Sequence, residues 1–304
     1  MATQVIHLHT RRRQSSQAWD QAATRFNLFM VFTVAILVPV EIVLAKAVQL
    51  NGLRNLLGNW PGLLALIAVW SFCRWFHVPR LIDLAESAVW AVLLTNTLPL
   101  LILVAGRNNR QLQDSALAAA DTWMHFNTAY FVDLAAQLPA LHIAATVAYA
   151  SLPWLLLAAI LLPPLCGHAR ASRRFILGIV FSAVITAALF ALWPASGPWT
   201  TQNFLPTSDQ AAASAYLALL NSQAPVTIDM HNAGIVSFPS YHVVLAILSA
   251  LALGSVRPLR PAAWVLAILI CASTVLTGWH YGIDLIGGLL VAIISVTAVN
   301  SIAI

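Results

Sequence analysis

His280 and Asp284 stand one helical turn apart, so a helix through Gly282 puts both on one face. An aspartate that accepts from Nδ1–H fixes the imidazole tautomer and leaves Nε2 with a free lone pair, which is nucleophile chemistry directed at phosphorus. Upstream, Ser237-Phe238-Pro239-Ser240-Tyr241-His242 reads as the start of a helix. A proline at the first helical position has no N–H to lose, and the free N–H groups after it face outward and favour an anion. Ser240 adds a hydroxyl donor, and His242 in the first turn can protonate a leaving oxygen. The expected catalytic residues are therefore His280, Asp284 and His242, with Pro239, Ser240, Tyr241 and Tyr281 as expected substrate contacts. Each half has a plainer alternative: His242 as an interfacial histidine bonded to a loop, and His280/Asp284 as a chance spacing. Location joins the two halves.

The elements that carry these residues are membrane helices. Apolar residues make up 60% of the 304 positions and charged residues only 8%, with a mean hydropathy of +0.83; a soluble domain has about a quarter charged residues. The apolar runs predict an all-α, polytopic transmembrane bundle of about eight helices. Their spans are 26–48, 60–78, 82–105, 139–165, 174–194, 239–255, 262–279 and 282–303. Most of the fifteen basic residues, from Arg11 to Arg260, then fall on the side of the N-terminus. Only Lys46, Arg54, Arg107 and Arg110 fall on the other side, so both termini are expected in the cytoplasm. This count uses neither motif, yet it puts His242, His280 and Asp284 at the same, outer surface.

Two outer segments, 106–138 and 195–238, contain helical apolar spacing at Ala116 to Trp123, Tyr130 to Leu138 and Ala211 to Leu220; interfacial helices and a packed cap both fit. Pro194, Gly197 and Pro198 stiffen the second segment, and His142 and His231 lie at its depth, as pocket residues or as satisfied loop histidines. Glu41 is expected to pair with another helix or to stay protonated, with pairing favoured, and Asp83 and Glu86 to meet arginines. The net charge of +5 is dispersed along membrane-flanking loops and calls for no nucleic acid. Cys73, Cys166 and Cys271 have no zinc-ligand or disulfide pattern, so neither metal nor cofactor is expected. The chain divides into a cytoplasmic segment, 1–25, accessory helices, 26–105, and a catalytic unit, 106–304.

Phe238-Pro239-Ser240-Tyr241-His242, followed by His280-Tyr281-Gly282-Ile283-Asp284 and Leu285-Ile286-Gly287-Gly288, resembles the second and third motifs of the type-2 phosphatidic acid phosphatase (PAP2) superfamily. The resemblance covers 110–303 and is closest to the branch of inositol phosphorylceramide synthase and the sphingomyelin synthases. It implies a PAP2-like helical core and a phosphohistidine formed on His280. Asp284 would orient that histidine, His242 would act as the acid, Ser240 would hold a phosphate oxygen, and no metal would be used. The chain departs from the superfamily in lacking the first motif and in having Thr274 where the third motif has arginine. Fewer cationic clamps tilt the substrate toward a phosphodiester or toward transfer chemistry, unless Arg107 or Arg110 folds over the site. The expected function is that of an inner-membrane enzyme acting on a lipid phosphate or phospholipid at its periplasmic face. Water and an alcohol acceptor both stay open, hence lipid phosphatase or inositolphosphotransferase-like enzyme. A membrane transporter or lipid-binding scaffold is the alternative outside enzymology.

Overall fold

The computed structural model describes residues 2–51, 60–107, 109–222, 224–228 and 234–302, with side chains from residue 21 onward. Arg54 and His231 lie outside the described residues. Within these the chain is helical almost throughout: α1 (Ala2–Ala47), α2 (Trp60–Trp75), α3 (Pro79–Gly106), α4 (Asp114–Trp123), α5 (Thr128–Gln137), α6 (Pro139–Ala150), α7 (Leu152–Leu165), α8 (Ala169–Leu192), α9 (Ser208–Asn221), α10 (Tyr241–Leu253), α11 (Arg260–Leu276) and α12 (Gly282–Ser301). The only strands among the described residues, β1 (Leu50–Asn51) and β2 (Val226–Thr227), form one short parallel pair that ties the segment after α9 to the end of α1.

Five stretches are long and apolar enough to cross a membrane: Gln21–Ala47, Pro79–Gly106, Ala169–Leu192, Arg257–Leu276 and Gly282–Ser301. The expected run 139–165 is instead two helices. Pro153, in the first turn of α7, offers no N–H to the Tyr149 carbonyl and interrupts the ladder at Ser151. Leu138, forced into an extended conformation ahead of Pro139, turns the chain by 118° between α5 and α6. The expected span 239–255 is shorter than its apolar run, because α10 starts only at Tyr241 with Ser240 as its cap. Pro239 thus stands outside the helix and not at its first position, joined to Phe238 by a cis peptide bond.

α8 is the central post. More than half of its apolar window, 56%, is buried, against 17% for α1 at the periphery. Its core partners are Trp90, Leu94 and Leu98 of α3 and Phe26 and Met30 of α1 on one side, and Val244 and Leu248 of α10 on another. One buried charge cluster holds α3 to α8: Arg173 donates to Asp83 and Glu86, each at 3.0 Å, and Asn27 of α1 donates to Glu86 at 2.9 Å. The expected meeting of Asp83 and Glu86 with an arginine is thereby seen. Many helix faces turn large apolar residues outward, as Ile286, Leu289, Leu290 and Ile293 do on α12.

Candidate active site

The two motifs meet where α10 and α12 begin. Gly287 and Gly288 explain the close approach: a Cβ on Gly288 would lie 2.5 Å from the Ser240 carbonyl oxygen, and one on Gly287 would lie 2.8 Å from the Phe238 ring. With hydrogen in those places, Ser240 N–H reaches the Asp284 carbonyl at 3.0 Å and ties the two helix starts together.

His280 is 3% exposed and lies in the short turn before α12. Its Nδ1 faces the Ser237 carbonyl oxygen at 2.9 Å and Asp284 Oδ2 at 3.3 Å. A carbonyl oxygen only accepts, so Nδ1 carries the proton and Nε2 carries the lone pair. The carboxylate is held in turn by the Ser237 hydroxyl and the Tyr281 N–H, both donating to Oδ2 at 2.9 Å. Burial pushes the His280 pKa down to about 4, against the opposing effect of the Ser237 hydrogen bond, and the ring is neutral at pH 7.

His242 lies beside it, ring centroids 5.9 Å apart and planes inclined by 61°. In-line transfer needs a nucleophile about 3–3.5 Å from phosphorus and an acid about 2.6–3.2 Å from the leaving oxygen. The separation of the two rings is on that scale. Tyr149 of α6 stacks on His242 at 4.4 Å and on Trp279 at 5.9 Å, and Trp199 meets Trp279 edge-on at 5.7 Å. Behind this aromatic cover, a cavity of about 10 Å³, roughly one water, touches Ser237 and Trp279 but neither histidine.

The expected contacts do not all converge. Ser240 accepts from Val243 N–H as helix cap and donates to no protein acceptor among the described residues. Pro239 packs against Gly287. Tyr241 turns away into the bundle, its hydroxyl donating to the Ile179 carbonyl of α8 at 3.4 Å. Tyr281 is fully buried, with its hydroxyl among Asp114 Oδ1, the Gly197 carbonyl and Thr201 Oγ1 at 2.9 to 3.1 Å. Burial and, after it, the Asp114 charge push that phenol's pKa up. Arg107 does not reach the histidines; its guanidinium donates to the Ala224 carbonyl at 2.7 Å.

Two buried aspartates beside the histidines belong to neither sequence motif. Asp114, Leu117 and Asp121 form one buried face of α4. The Asp121 carboxylate accepts the Gly282 and Ile283 N–H groups at 2.9 and 2.8 Å and caps α12 directly after His280-Tyr281. Burial pushes its pKa up, with the two N–H bonds opposing. Asp114 accepts from Ser196 and Gly197 N–H. Gly197 has φ of 146°, and a Cβ there would meet the Trp199 ring at 2.3 Å, so the stiff Pro194–Trp199 turn requires glycine. Seven-residue spacing of carboxylates in a chain with only ten acidic residues was the available signal. The outer segments are therefore a packed cap: α4 buttresses α12, and α9 reaches α11 through Gln210, which donates to the Thr277 carbonyl.

Among the described residues, no three His, Cys, Asp or Glu side chains group to hold a metal ion. A sequence model described as the PAP2 superfamily matches residues 115–298, more than half of the chain. The chain belongs to the PAP2 superfamily. Its match opens at the first turn of α4 and closes near the end of α12, so the cap and both histidine motifs lie inside it. Neither a curated protein nor a solved structure matches the chain. PAP2 membership, with five helices of membrane-crossing length, makes this a helical multi-pass membrane protein of a superfamily of phosphatases and phosphotransferases acting on phosphate esters.

Proposed function

We propose that the chain cleaves or transfers a lipid-linked phosphate ester through a phosphohistidine on His280. The observation that carries this reading is the Ser237 carbonyl at 2.9 Å from His280 Nδ1, which assigns the proton to Nδ1 and the attacking lone pair to Nε2. In the first half, Nε2 attacks phosphorus and the P–O ester bond breaks; His242, whose pKa burial and then His280 push down, takes up a proton from water as the phosphate anion binds beside it and gives that proton to the leaving alkoxide. In the second, neutral His242 takes a proton from water or an alcohol, the oxygen attacks phosphorus, and the P–N bond breaks. Asp284 balances the positive charge that His280 gains, and Ser240 donates to a phosphate oxygen.

A lipid substrate suits the depth of the site. Arg257–Leu276, twenty residues long, rises about 30 Å and can cross the apolar layer; His280 follows its last residue by four positions, so both histidines sit near the far boundary, at the level of lipid headgroups. We assign that far boundary to the periplasmic face of a bacterial inner membrane, on the distribution of basic residues. Residues 26–105 are accessory helices in this reading and 106–304 the catalytic unit. The absence of a first-motif lysine and arginine and the presence of Thr274 favour a diester or transfer chemistry, as in the inositol phosphorylceramide synthase branch.

The test uses the full chain in detergent with chelator, scoring phosphate release and headgroup transfer across a panel of lipid phosphates and phospholipids. Wild-type turnover is expected to survive chelation, to vanish in His280→Ala and to fall about 10²–10⁴-fold in His242→Ala. Unchanged turnover in His280→Ala refutes the nucleophile assignment, and loss on chelation refutes the metal-independent mechanism.

A further inference from the structure

A further cavity is well away from the histidines. It lies at the other end of the bundle, where α8 begins and α10 and α12 end, and holds about 700 Å³. The thirteen residues of α10 put it about 20 Å from His242. Its walls combine two chemistries. Leu248, Leu251, Trp264, Phe175, Val296 and Val299 supply apolar surface, and Arg170, Arg174 and Arg260 supply three guanidiniums. No aspartate or glutamate lines it. None of the three arginines has a hydrogen-bond or ion-pair partner among the described residues. Arg173, the neighbour of Arg174, is by contrast consumed by Asp83 and Glu86.

The backbone contributes little net field here. The positive N-termini of α8 and α11 meet the negative C-termini of α7, α10 and α12 at this end, so the backbone adds no net positive field. Local charge is therefore set by the side chains and is positive. A cavity of this size, mainly apolar and rimmed by unpaired arginines between transmembrane helices, has the chemistry of an amphiphile site: the forks bind phosphate oxygens bidentately while the walls take an acyl chain.

We propose that this cavity binds an anionic phospholipid, with the phosphate on Arg170, Arg174 and Arg260 and a chain against Leu248, Leu251 and Trp264. The site is separate from the histidine cluster and does not depend on the activity assigned to it.

The experiment is native mass spectrometry and thermal unfolding of the detergent-purified full chain, titrated separately with phosphatidylglycerol, phosphatidylcholine and inorganic phosphate. Wild type is expected to retain phosphatidylglycerol and to be stabilised by it, with little response to the other two. Arg170→Gln/Arg174→Gln/Arg260→Gln should bind phosphatidylglycerol roughly a hundredfold more weakly. Arg257→Gln, exposed at the same end but outside the cavity, should bind it normally. Equal retention of phosphatidylcholine by wild type would overturn recognition of the anion, and an equal response to inorganic phosphate would overturn the need for a chain. Both readings come from wild type alone, so the proposal stays testable if the triple variant misfolds.

Discussion

At the scale of single residues, His280 has two acceptors for one proton. The Ser237 carbonyl at 2.9 Å is nearer than Asp284 Oδ2 at 3.3 Å, so the tautomer survives removal of the carboxylate charge. Asp284→Asn is therefore expected to lose roughly 10²-fold in kcat, short of the about 10⁴-fold lost where a carboxylate alone fixes the imidazole. A loss as large as that of His280→Ala, measured on the same substrate, would show that the carbonyl does not hold the ring. Acid sensitivity follows from the same burial. The His280 pKa is about 4 in the folded chain and about 6.5 when unfolded, so the unfolded state binds more protons between those values. Its contribution to stability is present above pH 6.5 and is lost as pH falls toward 4, which pH-dependent thermal unfolding of wild type against His280→Gln would register. The His280/Asp284 turn was legible because its four-residue spacing is local. The Ser237 carbonyl was not, because every residue carries one and only the fold selects which is used.

At the scale of elements, the site depends on how closely α12 meets the start of α10 and on what caps it. Gly288→Ala sets a methyl 2.5 Å from the Ser240 carbonyl, backbone that cannot swing aside. We expect a loss of about 1–3 kcal/mol in stability and a larger proportional loss of turnover, since His242 and His280 are driven apart. Calorimetry beside an activity assay separates the two; full activity at wild-type stability would contradict the packing described. Asp121→Ala removes two hydrogen bonds from the α12 N-terminus, at a cost of about 1–3 kcal/mol, and Asp121→Asn, which keeps an acceptor, should recover part of it. The helix carrying Asp114 and Asp121 was visible as apolar periodicity from Ala116 to Trp123. Their role was not, because α4 touches α12 only after the chain has crossed the bundle several times.

At the scale of the whole molecule, the buried cluster of Arg173 with Asp83 and Glu86 locks α3 to α8, so the helices before residue 106 share a core with those that carry the histidines. Arg173→Met would strand two carboxylates in an apolar interior and destabilise by about 3–5 kcal/mol, with Asp83→Asn/Glu86→Gln restoring much of the loss in thermal unfolding. Sidedness is checked with an impermeant maleimide. In intact cells Cys166, exposed between α7 and α8, should stay unlabelled while an introduced Trp123→Cys reacts, and inverted vesicles should reverse the pattern. The sequence by itself determined the helical membrane class, the PAP2 motifs and which ends of the helices share a face. Apolar run length, basic flanks and turn spacing are local properties that no packing detail can reverse. Only the tertiary structure decided that Tyr241 faces the bundle and Ser237 faces His280. It also decided that Asp121 caps α12 and that three arginines surround a cavity at the opposite end. Those relations join atoms up to 162 positions apart along the chain, and their geometry exists only once the helices have packed.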